Sequence, residues 1–393
     1  MSHVSSVHAT ASTPPACHNE GDCSLSGACV ASACVCDPGW TGPACEKLRL
    51  KPARLAAPFV HGSARFTWGA APFIRRDGRF CMLFTWLTGW ADGNATRPVP
   101  MSDTVSGSLG LACSKEVGGP FAIVKNVSFP FRPGKFDNSY IENPVLTRYQ
   151  GGYLLAYTTS PPGVARTTLN WEGNGKGCAP SASCPDSGLQ YMGLAFTTDP
   201  ADDTRWQRRN STILMPKLTG FESGIAINPA VLVKPDGKGL IVTYRGTHDD
   251  GFGNCVMADW RSECVRPKGA NLFPDPRWKS TEDPFSFETA RGYIMISHTF
   301  SNNGGGTKAF SRDGLRWTWA GADGGSCASD RCAYPYSMPL TNGTVLTFRR
   351  REEPKILFDR GGTTMLALIN VVDDSFKYNA TRVIVQEIDN TSS

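Results

Sequence analysis

Charge is scarce in this chain, long apolar runs are missing, and no helical periodicity is sustained; each shortage excludes something. Charged residues make up only 19% of the sequence, and the densest basic run is Arg349-Arg350-Arg351. In a strand-like segment such a run reads as a solvated or ion-paired face, so no nucleic-acid partner is expected. No apolar stretch approaches the roughly 18–20 residues a membrane helix needs, and no membrane anchor is visible. Nowhere do apolar residues recur at i, i+3, i+4 and i+7 over several turns, so helices should be minor. Signatures of cofactor and nucleophile chemistry are missing too. Gly304-Gly305-Gly306 is not a dinucleotide fingerprint, and there is no P-loop, no H-E-x-x-H and no G-x-S-x-G elbow. C-x2-C units are also absent, which removes the usual zinc reading of a cysteine-rich chain.

What the chain does have is turn residues and cysteines. Its 41 Gly and 28 Pro in 393 residues favour many short strands joined by turns. There are 14 cysteines, six of them crowded between Cys17 and Cys45. Without metal spacing, that density points to disulfides and an oxidising compartment. Six N-x-S/T sequons, at Asn94, Asn126, Asn210, Asn342, Asn379 and Asn390, point the same way. Met1–Pro15 carries no apolar signal core. The expectation is an extracellular or cell-surface protein, seen here as a processed, truncated or late-starting chain.

The first six cysteines follow C-x5-C-x5-C-x4-C-x1-C-x8-C, and the last loop runs Cys36-Asp37-Pro38-Gly39-Trp40-Thr41-Gly42-Pro43-Ala44-Cys45. This resembles the epidermal-growth-factor-like family. The resemblance implies the pairing Cys17–Cys29, Cys23–Cys34 and Cys36–Cys45, with adhesion or partner binding as its functional reading and a plain spacer as the alternative. So short a segment cannot bury a stable core, and bridges must restrict the unfolded chain instead. Calcium-binding members carry acidic residues before the first cysteine; Ser12-Thr13-Pro14-Pro15-Ala16 stands there, so no calcium is expected in this module.

Beyond residue 50 a unit recurs: a residue, a proline, an apolar strand, a turn and a second apolar strand. It begins at Ala71-Pro72, Asn143-Pro144, Asn228-Pro229, Asp283-Pro284 and Glu353-Pro354. Between copies lies a second half-unit, a small-residue strand ending in Ser or Thr and a turn closing on an aromatic: Ala112-Cys113-Ser114 to Phe121, Ala195-Phe196-Thr197 to Trp206, and Ala309-Phe310-Ser311 to Trp317. Five copies of an inner and an outer hairpin predict an all-β fold, a five-bladed β-propeller. The expected organisation is a disordered segment 1–16, the small module 17–46, and a propeller domain 50–390. Among the later cysteines, neighbourhood favours Cys178/Cys184, Cys255/Cys264 and Cys327/Cys332, leaving Cys81 to Cys113.

Inner strands of a propeller converge on a channel, and the residues before each repeat proline are polar: Glu142-Asn143, Asn228, Glu282-Asp283 and Glu352-Glu353. Carboxylates crowded there would hold one group protonated near neutral pH, which glycoside hydrolysis requires of its general acid. Arg245, His298 and Arg351 follow the same strands and could balance the charge. The alternative is that x-Pro merely opens a strand and the acids pair with arginines.

With the Ser311-x-Asp313-Gly314-x-x-Trp317 turn, this pattern is similar to the five-bladed glycoside hydrolases of family 43 and their relatives. The resemblance implies a carbohydrate substrate, with Asp283, Glu142 and Glu353 as acid/base candidates. Asn143, Asn228, Arg245, His298, Glu282, Glu352 and Arg351 would contact substrate. It implies no cofactor beyond a channel metal ion, calcium, with His298 beside it. Two departures stand out: Ala71 occupies the position expected of the first-blade base, and Glu142 precedes Asp283 where the family order is the reverse. The reading is therefore a secreted carbohydrate-active hydrolase. The alternatives are a non-catalytic glycan-binding propeller, for which Ala71 speaks, or an adhesion ectodomain that binds proteins.

Overall fold

The computed structural model describes residues 16–56, 67–88, 106–127, 129, 135–137, 141–159, 189–222, 224–246, 251–267, 281–299, 305–320, 332–373 and 381–391. Among these, every regular element is a β-strand. The small module pairs β1 (Gly27–Val30) with β2 (Ala33–Cys36) and β3 (Trp40–Thr41) with β4 (Lys47–Leu48). Its bridges are Cys17–Cys29, Cys23–Cys34 and Cys36–Cys45, the pairing the resemblance implied.

Five antiparallel sheets follow. Blade I holds β5 (Thr67–Ile74), β6 (Phe80–Thr88), β7 (Ser106–Ser114) and β8 (Ala122–Asn126). Blade II holds β9 (Glu142–Tyr149), β10 (Gly152–Thr159), β11 (Tyr191–Thr197) and β12 (Gln207–Arg208). Blade III has β13 (Ile227–Val233), β14 (Leu240–Arg245) and β15 (Phe252–Met257). Blade IV has β16 (Thr281–Thr289), β17 (Gly292–Thr299), β18 (Gly306–Ser311) and β19 (Thr318–Trp319). A hairpin of β20 (Ser337–Pro339) and β21 (Val345–Thr347) precedes blade V, which has β22 (Arg350–Phe358), β23 (Met365–Asp373) and β24 (Thr381–Glu387).

In each sheet the first strand is innermost, with neighbouring blades covering both of its faces; β13 is buried from Ile227 to Leu232. Cross-strand packing within blade II needs close approach: the ring of Tyr157 passes over its partner Gly193, where a β-carbon would lie 2.1 Å from it. The outer turn of blade IV explains its motif. Ser311 Oγ accepts the Gly314 N–H (2.9 Å), and Asp313 Oδ1 accepts those of Leu315 (2.9 Å) and Arg316 (2.8 Å). Burial works against the Asp313 charge, yet these backbone donors hold its pKa at about 2.

The ring closes through the segment leaving the small module. Leu50 bridges Ile388, and the Lys51 N–H donates to Glu387 O (2.9 Å), so this segment lines the outer edge of blade V. The module itself packs on the propeller. Arg291 of blade IV pairs with Glu20 and Asp37. Buried Lys308 of β18 donates to Ser26 Oγ (2.6 Å) and Cys45 O (2.7 Å), with its ammonium 3.7 Å from the centre of the Trp40 ring. Leu25, Trp40 and the module's cysteines join one hydrophobic cluster with Tyr334, Met365 and Ile388. The spacer alternative therefore does not describe this module, which is built into the propeller wall.

Cys81–Cys113 and Cys255–Cys264 are bonded as expected. Cys178, Cys184 and Cys327 lie outside the described residues, as do Asn94 and Asn379. Asn126, Asn210 and Asn342 are exposed, whereas half-buried Asn390 donates its amide to Met365 O (2.7 Å).

Candidate functional site

Every inner strand opens with the same irregularity. The cross-strand register slips by one residue after Trp68, Glu142, Ile227, Glu282 and Glu352. The next residue takes a left-handed backbone: Gly69 (φ 48°), Asn143 (50°), Asn228 (50°), Asp283 (57°) and Glu353 (50°). Proline explains this in four blades. It has no N–H to give the ladder, so the strand bulges where proline enters. Asn and Asp tolerate the left-handed region, and blade I meets the same demand with glycine and no proline.

The bulge corrects the sequence-based alignment of blade I. Its equivalent of Asn143, Asn228, Asp283 and Glu353 is Gly69, two residues before Ala71. Ala71 pairs with Leu83 in regular strand and is packed in the core between blades I and II. Its sequence Ala-Pro mimicked the repeat without occupying its place. Gly69, like alanine, offers no carboxylate.

The five bulges bring their side chains together around the axis and link them. Trp68 Nε1 donates to Asn143 Oδ1 (2.8 Å), and Asn143 Nδ2 to Asn228 Oδ1 (2.6 Å). Asn228 Nδ2 donates to Asp283 Oδ1 (2.5 Å), whose Oδ2 accepts the Glu353 N–H (3.1 Å). Lys355 Nζ then donates to Glu353 Oε2 (3.0 Å). A belt of hydrogen bonds thus crosses all five blades, with buried members throughout. Asn143 and Asn228 spend their amides on neighbours in this belt, a different use from the substrate contact expected of them. Trp68 and Lys355 were not singled out from sequence. Lys355 carried a signal, since it stands two residues after Glu353 and so on the same strand face.

Around Asp283 the acids cluster. Glu282 pairs with Arg245, and His298 Nδ1 lies 3.6 Å from Glu282 Oε1 and 4.0 Å from Asp283 Oδ2. Glu352 accepts from Arg350 (3.2 Å). Burial, then the Glu282 charge, raises the Asp283 pKa. Burial, then Glu282 and Asp283, pushes Glu352 well above the usual carboxylate range. Burial, then Asp283, does the same to Glu353, whose Oε1 has no hydrogen-bond partner. These acids cannot all be charged at neutral pH in so enclosed a space.

The structure thus brings Glu282, Asp283, Glu352, Glu353, Arg245 and His298 together. Glu142 opens β9 at the position matching Glu282 and Glu352 and is likewise buried. Arg351 belongs elsewhere. Its guanidinium is fully buried, donates to Asn370 Oδ1 (2.8 Å) and Gln386 Oε1 (2.9 Å), and lies over Tyr334. Burial lowers its pKa to about 10. The strand alternation that points Glu352 at the cluster turns Arg351 into the wall between β22 and the β20–β21 hairpin. Buried Asp137 also has a wall function: it accepts from Tyr157 Oη (2.8 Å) and Arg208 (2.6 Å).

One ligand atom each from Glu282, His298 and Glu352 lie within 4.8 Å of one another. Calcium takes six to eight oxygens, so this set would supply only a minority of its shell. Two carboxylates and an imidazole suit a transition ion better, but Arg245 already occupies Glu282. Segments 89–105, 160–188, 268–280, 300–304 and 374–380 lie outside the described residues.

Comparison with known proteins supports both halves of this architecture. Residues 14–47 match the teneurin-like EGF domain family. The fold is similar to that of Zg3597, a family 117 glycoside hydrolase from the marine bacterium Zobellia galactanivorans, at TM-score 0.53 and 14% identity, over 87% of this chain and 90% of that one. It is also similar to BT0996, solved as an RGII complex, at TM-score 0.53 and 15% identity over 87% of this protein and 92% of that one. An α-L-arabinofuranosidase from Lactobacillus brevis aligns at TM-score 0.50 and 10% identity over 84% and 92%. No match was found among curated protein sequences. The chain is a five-bladed propeller of the architecture found in glycoside hydrolases, preceded by an EGF-like module.

Proposed function

We propose that this is an extracellular carbohydrate-active protein that hydrolyses a glycosidic bond at the carboxylate cluster on the propeller axis. The observation that carries this reading is the Asp283–Glu353 arrangement. Asp283 receives two hydrogen bonds, from Asn228 and from the Glu353 N–H, which favour its ionised form against burial. Glu353 is driven toward its protonated form by burial and by that same Asp283 charge. Both pKa values are raised, but the backbone and amide donors on Asp283 favour its charge, and a pair of unequal carboxyl groups is what acid/base cleavage of an acetal needs. Asp283 then acts as base or charge stabiliser, and Glu353 protonates the leaving oxygen. Glu142 and Glu352 are the further acids within the inner-strand openings, Arg245 pairs with Glu282, and His298 stands beside Glu282 and Asp283. The fold shared with glycoside hydrolases supports a saccharide as substrate, and the disulfides and sequons support secretion as a glycoprotein.

A second reading has its own observation. Gly69 leaves the blade I bulge without a carboxylate, and the belt satisfies Asp283 from within, as in a sugar-binding propeller that has no chemistry. The test is turnover on a panel of aryl-glycosides and plant and algal polysaccharides, with wild type beside Asp283→Asn and Glu353→Gln. Turnover lost in both folded variants supports hydrolysis at this cluster. Saturable glycan binding without product in wild type would replace hydrolysis with recognition, and neither turnover nor binding would favour the adhesion reading.

A further inference from the structure

The opposite end of the inner strands carries a second feature, about 20 Å from the belt by strand length. Here the turns between first and second strands of blades I, II, III and V meet around a cleft of 590 Å³. Four arginines line it, Arg75, Arg76, Arg148 and Arg360, and no carboxylate is among its lining residues. That composition is unusual for a chain with little net charge, and two of the four, Arg148 and Arg360, are anchored to backbone carbonyls. Arg148 donates to the carbonyl oxygens of Asp359 (2.9 Å) and Arg360, reaching from blade II to blade V. Arg360 donates to the carbonyls of Arg75 (3.2 Å) and Arg76 (2.9 Å), reaching from blade V to blade I.

Neutral carbonyls fix these guanidiniums in place while leaving their charge uncompensated. The nearby acids are committed elsewhere. Asp77 pairs with Arg79 (2.7 Å), and more distantly with Arg75 (3.7 Å). The Asp359 carboxylate accepts the N–H groups of Thr363 (2.9 Å) and Thr364 (3.2 Å) in its own turn. Guanidiniums held in fixed orientation, with free edges toward a cleft, are suited to bidentate recognition of oxyanions.

We infer that this cleft is a binding site for an anionic saccharide, one bearing sulfate or carboxylate groups, distinct from the carboxylate cluster at the other end of the axis. Its shape and lining select this class of ligand. A volume of 590 Å³ holds a short oligosaccharide. Half-buried Tyr153 supplies aromatic surface beside the arginines. The wall is made of closed hairpin turns, which give a peptide no strand edge to extend. A charged sugar is favoured over a neutral one because binding it would relieve the mutual repulsion of the arginines. The inference does not depend on hydrolysis at the belt.

The experiment is calorimetric titration of the full chain with sulfated and uronate oligosaccharides, a neutral oligosaccharide of equal length, and inorganic sulfate. Arg76→Gln is the first variant, because its side chain takes no described part in holding the turns; Arg148→Gln and Arg360→Gln follow. The expected result is binding of the sulfated or the uronate oligosaccharide, at least ten-fold weaker in Arg76→Gln and weaker at high salt, with Asp283→Asn unaffected. Which of the two anionic sugars binds more tightly identifies the group recognised. The inference is overturned if the neutral oligosaccharide binds equally well, if inorganic sulfate alone matches the oligosaccharides, or if Arg76→Gln and Arg148→Gln both bind as wild type. Equal binding to a poly-glutamate peptide or to anionic lipid vesicles would overturn the saccharide class.

Discussion

Replacing Asn228 with glycine cuts the hydrogen-bond belt at its middle while leaving the backbone comfortable. Glycine accepts φ 50° without strain, so the change costs only its extra freedom in the unfolded chain, roughly 0.5–1 kcal/mol. What is lost is the amide. Asn143 Nδ2 loses its acceptor at 2.6 Å and Asp283 Oδ1 its donor at 2.5 Å, both in buried positions. Each buried polar atom left unsatisfied costs about 1–3 kcal/mol, more if charged, so the pair should cost about 2–6 kcal/mol. A water entering the vacated space would bring the loss to the lower end. Domains of ordinary stability have about 5–15 kcal/mol in hand, so the protein should still fold, with a melting temperature several degrees lower. The assay is chemical denaturation of wild type and Asn228→Gly at neutral pH with disulfides intact. A loss of no more than about 1 kcal/mol, which glycine's entropy alone explains, would refute the belt as a stabilising network.

Three further outcomes are expected. Glu352 and Glu353 have folded pKa values raised by burial and neighbouring carboxylates, so the folded state keeps protons that the unfolded chain releases above about pH 4.3. Their contribution to stability is therefore full below that pH and falls as pH rises through the folded values. Melting temperature measured from about pH 5 to 8 should decline less steeply in Glu353→Gln than in wild type, and an unchanged slope would contradict the assignment. Lys308→Ala removes the stem that fills the seam between module and blade IV, at about 2–4 kcal/mol. Limited proteolysis should then cut near residues 47–51 faster than in wild type; equal rates would mean the module docks without it. Replacing Cys81 and Cys113 together by alanine opens a link with a sequence separation of 32, worth about 3–4 kcal/mol by loop entropy, read as a drop in denaturation midpoint.

Local rules decided much of this protein before any tertiary contact was considered. Cysteine spacing defined the module and its bridges, because about 30 residues without a core have few other ways to be stable. Recurring x-Pro strand starts and Ser/Thr-to-aromatic turns defined five two-hairpin units, because proline and turn residues act on their immediate neighbours. The same rule failed in blade I, where Gly69 does the work of the dipeptide and Ala71-Pro72 only looks like it. Backbone conformation, and not residue identity, is what the bulge repeats. Which polar residues meet was likewise settled only by folding. Asn143, Asn228 and Asp283 come from three blades, and nothing in the chain says that two amides would serve a carboxylate. Arg351 and Glu352 are adjacent in sequence, yet strand alternation sends one into the wall and the other to the axis. The docking of the module through Lys308, and the arginines gathered at the far mouth of the channel, depend on residues scattered through the chain. Those meetings are long-range, set by how five twisted sheets close a circle, and only the closed ring could decide them.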